Sequence, residues 1–141
     1  MKCLTKEQIL KADDVAIEAV KVPEWGSGDV EACVFVRGLT GTQRDNFEGS
    51  RVSVTDGGQK KRKVRLNHEN TRANLLAMSL CDERGTLLFT LDDVIDLGRK
   101  SALALDRCFD VAQRLSGMGE QNAEITLKNS EADQTGNSIF D

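Results

Sequence analysis

The chain has 141 residues, which is the size of one domain and enough to bury a hydrophobic core without disulfide or metal staples. The formal net charge is −4 and only 4% of the residues are aromatic, so neither a surface built for nucleic acid nor a platform that stacks bases or sugars is indicated. Charged residues occur throughout the first twenty positions, so no secretory signal is expected, and no run is apolar enough for a membrane span.

The N-terminal part of the chain predicts one short helix followed by a β-hairpin. Thr5 and the Gln three residues later form a capping-box pattern, which opens a helix near 5–12. Residues 15–22 and 30–37 are rich in β-branched side chains and partly alternate between apolar and polar, which indicates strands. The Pro- and Gly-containing stretch between them predicts an antiparallel hairpin whose long loop carries the only Trp, Trp25.

The middle of the chain predicts two further helices. Thr40 and the Gln three residues later form a second capping box, so a helix is expected over 41–54. A stripe of Leu and Ala at helical spacing predicts another helix over 66–81. Residues 86–89 form a short apolar run that is a candidate for a further strand of the sheet.

The last predicted helices follow two N-cap patterns. A Thr followed by acidic residues predicts a helix over 91–97, and a capping Ser opens another over 101–116. Leu105 and Phe109 belong to an apolar stripe of three- and four-residue steps in the second of these, which is the strongest amphipathic pattern in the chain.

The predicted fold class is α+β, with a small antiparallel sheet packed by several short helices. We expect a single domain over 1–117, followed by a weakly structured, flexible polar tail over 118–141, where the apolar content falls. The tail ends in two apolar residues, Ile139 and Phe140, which have no apolar neighbours in the sequence.

No residue pattern predicts an enzyme, a metal site or a cofactor. His68 is the only His and stands in a polar stretch without a nucleophile signature such as GxSxG, so we interpret it as a solvated or capping residue. Acidic pairs stand where helices start or turns form, and no phosphate-binding glycine motif is present. The cysteines contain no CxxC pair, and we expect free, partly buried thiols in a reducing cytoplasm. They are Cys3, Cys33, Cys81 and Cys108.

The most marked charge feature is a basic segment of five cationic residues within six positions. Its members are Lys60, Lys61, Arg62, Lys63 and Arg65. Without them the chain has 19 − 5 = 14 basic residues against 23 acidic ones. A solvated loop leading into the next helix, or a patch for an acidic protein partner, is favoured over a phosphate-binding or nuclear-import patch because no aromatic residues are interleaved with the charges.

Trp25 has two interpretations from sequence. It follows a strand, precedes Gly-Ser-Gly and has no companion aromatic residue, so a stacking site with two walls is not indicated. A partly buried side chain that closes one end of the sheet is favoured, and an anchor for another protein is the alternative, because Trp is enriched among interface hot spots.

The order of these segments resembles the tail assembly chaperones of long-tailed bacteriophages. The similarity extends over about residues 4–130, and its most specific parts are VPEWG with VRGLTGTQRDNFE, within 22–48, and LGRKSALALDRCFDVAQRLSG over 97–117. The resemblance implies a protein without catalytic activity that binds the tape-measure protein and keeps it soluble until tail-tube subunits polymerise around it. It also implies action in the cytoplasm of the bacterial host and absence from the mature virion.

The resemblance carries further expectations about partners. Tail-tube subunits are a second expected partner, and many such proteins are made in a short form and in a longer form produced by programmed frameshifting. This chain would correspond to the short form, and the longer form would be a further partner. Self-association into a homo-oligomer is a further expectation, because one small domain covers little of a long client.

Two rival functions remain open at this point. One is a structural tail or neck component that stays in the virion, and the other is a small nucleic-acid-binding regulator that uses residues 60–65. The candidate partner contacts are Trp25, Leu105, Phe109, Ile139 and Phe140. Among these, the two helix residues are expected to belong to the core, because an amphipathic stripe in a small domain is normally needed for folding.

Overall fold

The computed structural model describes residues 1–56, 62–66 and 68–118. Apart from its first residue, the predicted tail over 118–141 lies outside these ranges, and so do Ile139 and Phe140. Lys60 and Lys61 of the basic segment also lie outside them.

The described residues form an α+β fold, as the sequence predicts. In chain order the elements are α1 (Lys6–Lys11), β1 (Ile17–Lys21), β2 (Cys33–Arg37), α2 (Gly41–Ser50), β3 (Val52–Asp56), β4 (Arg62–Leu66), α3 (Thr71–Ala77), β5 (Leu80–Cys81), α4 (Val94–Gly98) and α5 (Ala102–Leu115). Two short 3₁₀ turns, Pro23–Trp25 and Leu91–Asp93, precede β2 and α4.

The main sheet within the described ranges has the strand order β1-β2-β5 and is antiparallel. β1 and β2 form the predicted hairpin, with Ile17 opposite Arg37 at one end and Lys21 opposite Cys33 at the other. The candidate strand over 86–89 contributes only an isolated bridge between Leu87 and Cys81.

The third strand of this sheet corrects the predicted helix over 66–81. α3 begins at Thr71 and ends at Ala77, after which the chain becomes extended and pairs with β2. The Ser79 carbonyl accepts a hydrogen bond from the Arg37 N–H at 2.9 Å, so β2 continues to bind the chain just before β5. Residues 75–81 are all buried. In so uniformly buried a run, the spacing of apolar residues cannot distinguish a helix from a strand.

A separate hairpin corrects the predicted helix over 41–54. α2 ends at Ser50, and β3 then pairs with β4 so that Val52 lies opposite Leu66 and Asp56 opposite Arg62. The interpretation of the basic segment as a loop is therefore wrong for residues 62–65, which form most of β4. The short alternating run at 52–55 is typical of a strand, but it directly follows a well-capped helix, so the local pattern assigns it to that helix.

Helix ends follow the local signals in the sequence. Three predicted caps form complete capping boxes, in which Thr5 pairs with Gln8, Thr40 with Gln43 and Thr90 with Asp93. The Ser101 hydroxyl accepts from the Ala104 N–H at the start of α5. α5 ends at Leu115, and Gly117, which follows the C-cap Ser116, has a φ of 75°, in the left-handed region that favours glycine.

The core lies between the main sheet and the helices α3, α4 and α5. α5 packs on β1, β2 and α3, and α4 packs on α3. Leu105 is only 4% exposed and belongs to the core, as expected, whereas Phe109 is half-buried at its edge. The remaining large core side chains include Phe47, Leu75, Leu76, Leu80, Val22 and Val36.

Candidate partner-binding site

Trp25 is held in a tight turn directly after β1. Val22 is fully buried, and its carbonyl accepts a hydrogen bond from the Trp25 N–H at 3.1 Å. Pro23 occupies the first position of the 3₁₀ turn, where its fixed φ is favourable and its missing N–H costs nothing. A Cβ at Gly26 would lie 2.8 Å from the Val30 carbonyl oxygen, so any side chain at this position would collide with the backbone.

An ion pair fixes the same turn to α5. Both Arg107 Nη atoms donate to the Glu24 carboxylate at 2.8 Å, in the bidentate geometry that gives the strongest pairs. Arg107 also donates to the Lys21 carbonyl at 3.4 Å. Because Glu24 directly precedes Trp25, this pair positions the indole ring relative to α5.

The pair predicts a pH-dependent contribution to stability. The hydrogen bonds from Arg107, with a backbone hydrogen bond, lower the pKa of Glu24 from 4.5 to about 2. A lowered carboxyl pKa stabilises the fold fully above the unfolded pKa, and this contribution is lost as the pH falls towards the folded pKa. We therefore expect the difference in urea midpoint between wild type and Glu24→Gln to be constant above about pH 5 and to shrink between pH 4.5 and 2. A difference that does not change over that range would contradict the assigned role of this pair.

The Trp25 ring forms one wall of an open groove of about 400 Å³, which we call the Trp25 groove. Phe89 and Leu97 complete its apolar surface. Its polar lining consists of Asp93 and Asp96 on the turn that leads into α4 and on α4 itself, and of Lys100 just before α5. An apolar groove with a few charges at its rim is the arrangement that binds amphipathic helices.

The position of Trp25 is compatible with both sequence interpretations. The side chain is half-buried and packs against the core cluster, as expected of a residue that closes the sheet end. Its ring also lines the Trp25 groove, as expected of a partner anchor. The indole Nε1 is buried and has no hydrogen-bond partner among the described residues.

α5 also carries an exposed leucine, which does not line the groove. Leu103 is 64% exposed and lies one helical turn before Arg107, on the side of α5 that holds the Trp25 turn. Leu91 and Ile95 are also exposed, but neither lines the groove. Each stands two positions before a groove residue, Asp93 or Leu97, and residues two apart in a helix face different sides.

The other predicted contacts within the described ranges, Leu105 and Phe109, do not line this groove. Leu105 is in the core, and Phe109 lines a separate, more polar cleft with Arg51, His68 and Arg72. Sequence reasoning missed Phe89, Leu97 and Lys100. They lie more than sixty positions from Trp25, and no local pattern links them to it.

Only part of the basic segment lies within the described residues. Arg62, Lys63 and Arg65 belong to β4, where they are opposite Asp56, Thr55 and Ser53. The phosphate-binding and acidic-partner interpretations of this segment remain predictions.

No group of three or more His, Cys, Asp or Glu that could hold a metal ion occurs among residues 1–56, 62–66 and 68–118. His68 is exposed, and its carbonyl accepts from the Thr71 hydroxyl at 2.9 Å, so its main chain takes part in the start of α3.

The four thiols, all within the described ranges, are free and divide into two classes. Cys3 and Cys33 are exposed, whereas burial raises the pKa of Cys81, and that of Cys108 to about 11. Because the thiolate is the reactive form, we expect two thiols to react rapidly with a disulfide reagent at pH 8 in the native protein and all four in urea. Rapid reaction of a third native thiol would show that the core opens more readily than this packing indicates.

Comparison of the chain with family models, curated proteins and solved structures found no match. In the described part of the chain, no helix is long and apolar enough to cross a membrane. The geometry of the Trp25 groove and the resemblance in the sequence are therefore the two grounds for a functional proposal.

Proposed function

We propose that this protein is a phage tail assembly chaperone that binds apolar helical segments of the tape-measure protein and keeps them soluble during tail-tube assembly. The observation that supports this most directly is the Trp25 groove, with its apolar lining of Trp25, Phe89 and Leu97 and a charged rim. The proposal includes action without catalysis in the cytoplasm of the bacterial host and absence from the mature virion.

The groove suits a helical client for two physical reasons. Its volume of about 400 Å³ accepts several apolar side chains but is open, so a continuous chain can pass across it. The carboxylates of Asp93 and Asp96 and the ammonium group of Lys100 offer both signs of charge to the polar face of an amphipathic helix.

Co-expression with the tape-measure protein of the same genome tests the proposal. The expected result is a soluble complex that is recovered by affinity purification through either partner. Failure to keep the tape-measure protein soluble, with both proteins well expressed, would contradict it.

The protein composition of the virion distinguishes the chaperone from a structural tail or neck component. Mass spectrometry of purified virions is expected to find the tape-measure protein and not this chain. Stoichiometric recovery of the chain in virions would favour the structural component over the chaperone.

The salt dependence of binding distinguishes the chaperone from a nucleic-acid-binding regulator. Binding through Arg62, Lys63 and Arg65 would weaken steeply as the salt concentration rises, because counterions are released from the phosphates. Binding of the tape-measure protein through an apolar groove is expected to change much less over the same range.

A further inference from the structure

The N-terminal helix α1 carries apolar side chains that no other described residue buries. None of its six residues, all of them described, is buried, and Ile9 and Leu10 are 57% and 74% exposed. Leu4, which precedes the cap, is also 57% exposed and stands in the position that forms a hydrophobic staple with Ile9. Isolated helices shorter than about 12 residues are marginal in water, so α1 requires a packing partner to be well populated.

α1 does not occupy the groove of its own chain, since none of its residues lines that groove. The Ala16 carbonyl accepts from the Gly38 N–H at 2.9 Å, and Asp14 and Val15 line a cleft beside Gly38, which holds the chain at the start of β1. Trp25 follows the opposite end of β1, and five residues of strand span about 13 Å. The start of β1, which the linker joins to α1, is therefore at the far end of the strand from the Trp25 groove.

The charges of α1 and of the Trp25 groove are complementary. Residues 1–12 contain three Lys and one Glu, which gives 3 − 1 = +2 from side chains. The groove lining contains two Asp and one Lys, which gives 1 − 2 = −1. A segment with a net positive side-chain charge therefore complements a groove with a net negative one.

We propose that α1 of one copy docks in the Trp25 groove of a second copy. Leu4, Ile9 and Leu10 would then be covered, and α1 would gain the tertiary contact that so short a helix needs. This inference goes beyond the proposed function, and it has a consequence for it: client and α1 compete for one groove, so client-free protein is self-associated and client binding releases α1.

Sedimentation velocity of the full chain over a concentration series tests this docking. Wild type is expected to show reversible self-association, and Ile9→Glu/Leu10→Glu is expected to weaken it at least tenfold. Both substituted side chains are exposed, so the fold should be kept, which the urea midpoint verifies. Ile95→Glu is the matched control, because Ile95 is 63% exposed on α4 but does not line the groove.

Two groove variants complete the test. Trp25→Ala removes the largest apolar wall, and Asp96→Lys reverses a rim charge on an exposed residue that does not support the core. Each groove variant is expected to weaken self-association. In a mixture of the α1 variant with a groove variant, one pairing stays intact: the unchanged α1 of the groove variant can dock in the unchanged groove of the α1 variant. A monomeric wild type, or an equal effect of Ile95→Glu and Ile9→Glu/Leu10→Glu, would overturn the docking.

Failure of this inference is distinguishable from failure of the chaperone proposal. The α1 variant retains an intact groove, so it is expected to bind the tape-measure protein at least as tightly as wild type. Self-association without client binding would leave the docking intact and contradict the proposed function. Client binding by a wild type that stays monomeric at all concentrations would contradict only the docking.

Discussion

Replacement of Trp25 by Ala is expected to weaken binding of the tape-measure protein about 30-fold. Truncation of a hot-spot Trp typically costs about 2 kcal/mol or more, and each 1.4 kcal/mol is a factor of ten in affinity. Trp25 has the features of such a residue: it is half-buried, it forms a wall of the groove, and its turn is fixed to α5 by the Glu24–Arg107 pair. Isothermal titration with a soluble tape-measure fragment measures the change.

Two matched variants separate a binding effect from a folding effect. Asp96→Lys changes the groove rim at an exposed side chain, so it should lower affinity by a smaller factor and leave the urea midpoint unchanged. Ile95→Ala removes an exposed apolar side chain outside the groove and should change neither quantity. Unchanged affinity in folded Trp25→Ala would exclude the groove as the client site.

Replacement of Phe47 by Ala is expected to lower the free energy of unfolding by about 3 to 5 kcal/mol. Phe47 is fully buried, and it is the sole buried residue of α2, whose ten residues are all described. The guanidinium carbon of Arg51 lies 5.7 Å from the centre of its ring, so the substitution removes a cation–π contact as well as apolar burial. Urea denaturation, followed by circular dichroism, gives the difference.

The size of the Phe47 effect tests how α2 is held. Ile95→Ala serves again as the control, since an exposed apolar residue should change the unfolding free energy by less than about 0.5 kcal/mol. A loss of less than about 1 kcal/mol in Phe47→Ala would mean that α2 contributes little to the cooperative fold, contrary to the observed burial.

Local signals in the sequence predicted the parts of the fold that depend on neighbouring residues. Each capping box joins side chains three positions apart, so its outcome is fixed by local geometry, and Thr5, Thr40 and Thr90 all form one. The long stripe of α5 likewise predicted its buried face, in which Leu105 and Cys108 lie in the core.

Features that depend on distant pairing were not predictable from local patterns. β4 is a strand because its backbone pairs with β3, although its residues are mostly Arg and Lys, which favour no strand by themselves. β5 exists because β2 offers an unpaired edge to the chain after α3. The Trp25 groove depends on both kinds of contact, since Trp25 could be singled out by its turn but Phe89 and Leu97 meet it only in the folded chain.

The fluorescence of Trp25 tests the central claim most directly, because it is the only Trp in the chain and its ring lines the proposed client site. Titration of the purified protein with a soluble tape-measure fragment that itself lacks Trp is predicted to give a saturable blue shift, as the client covers the indole ring. An emission spectrum that stays unchanged while the fragment binds elsewhere, or the absence of any complex, would contradict the account.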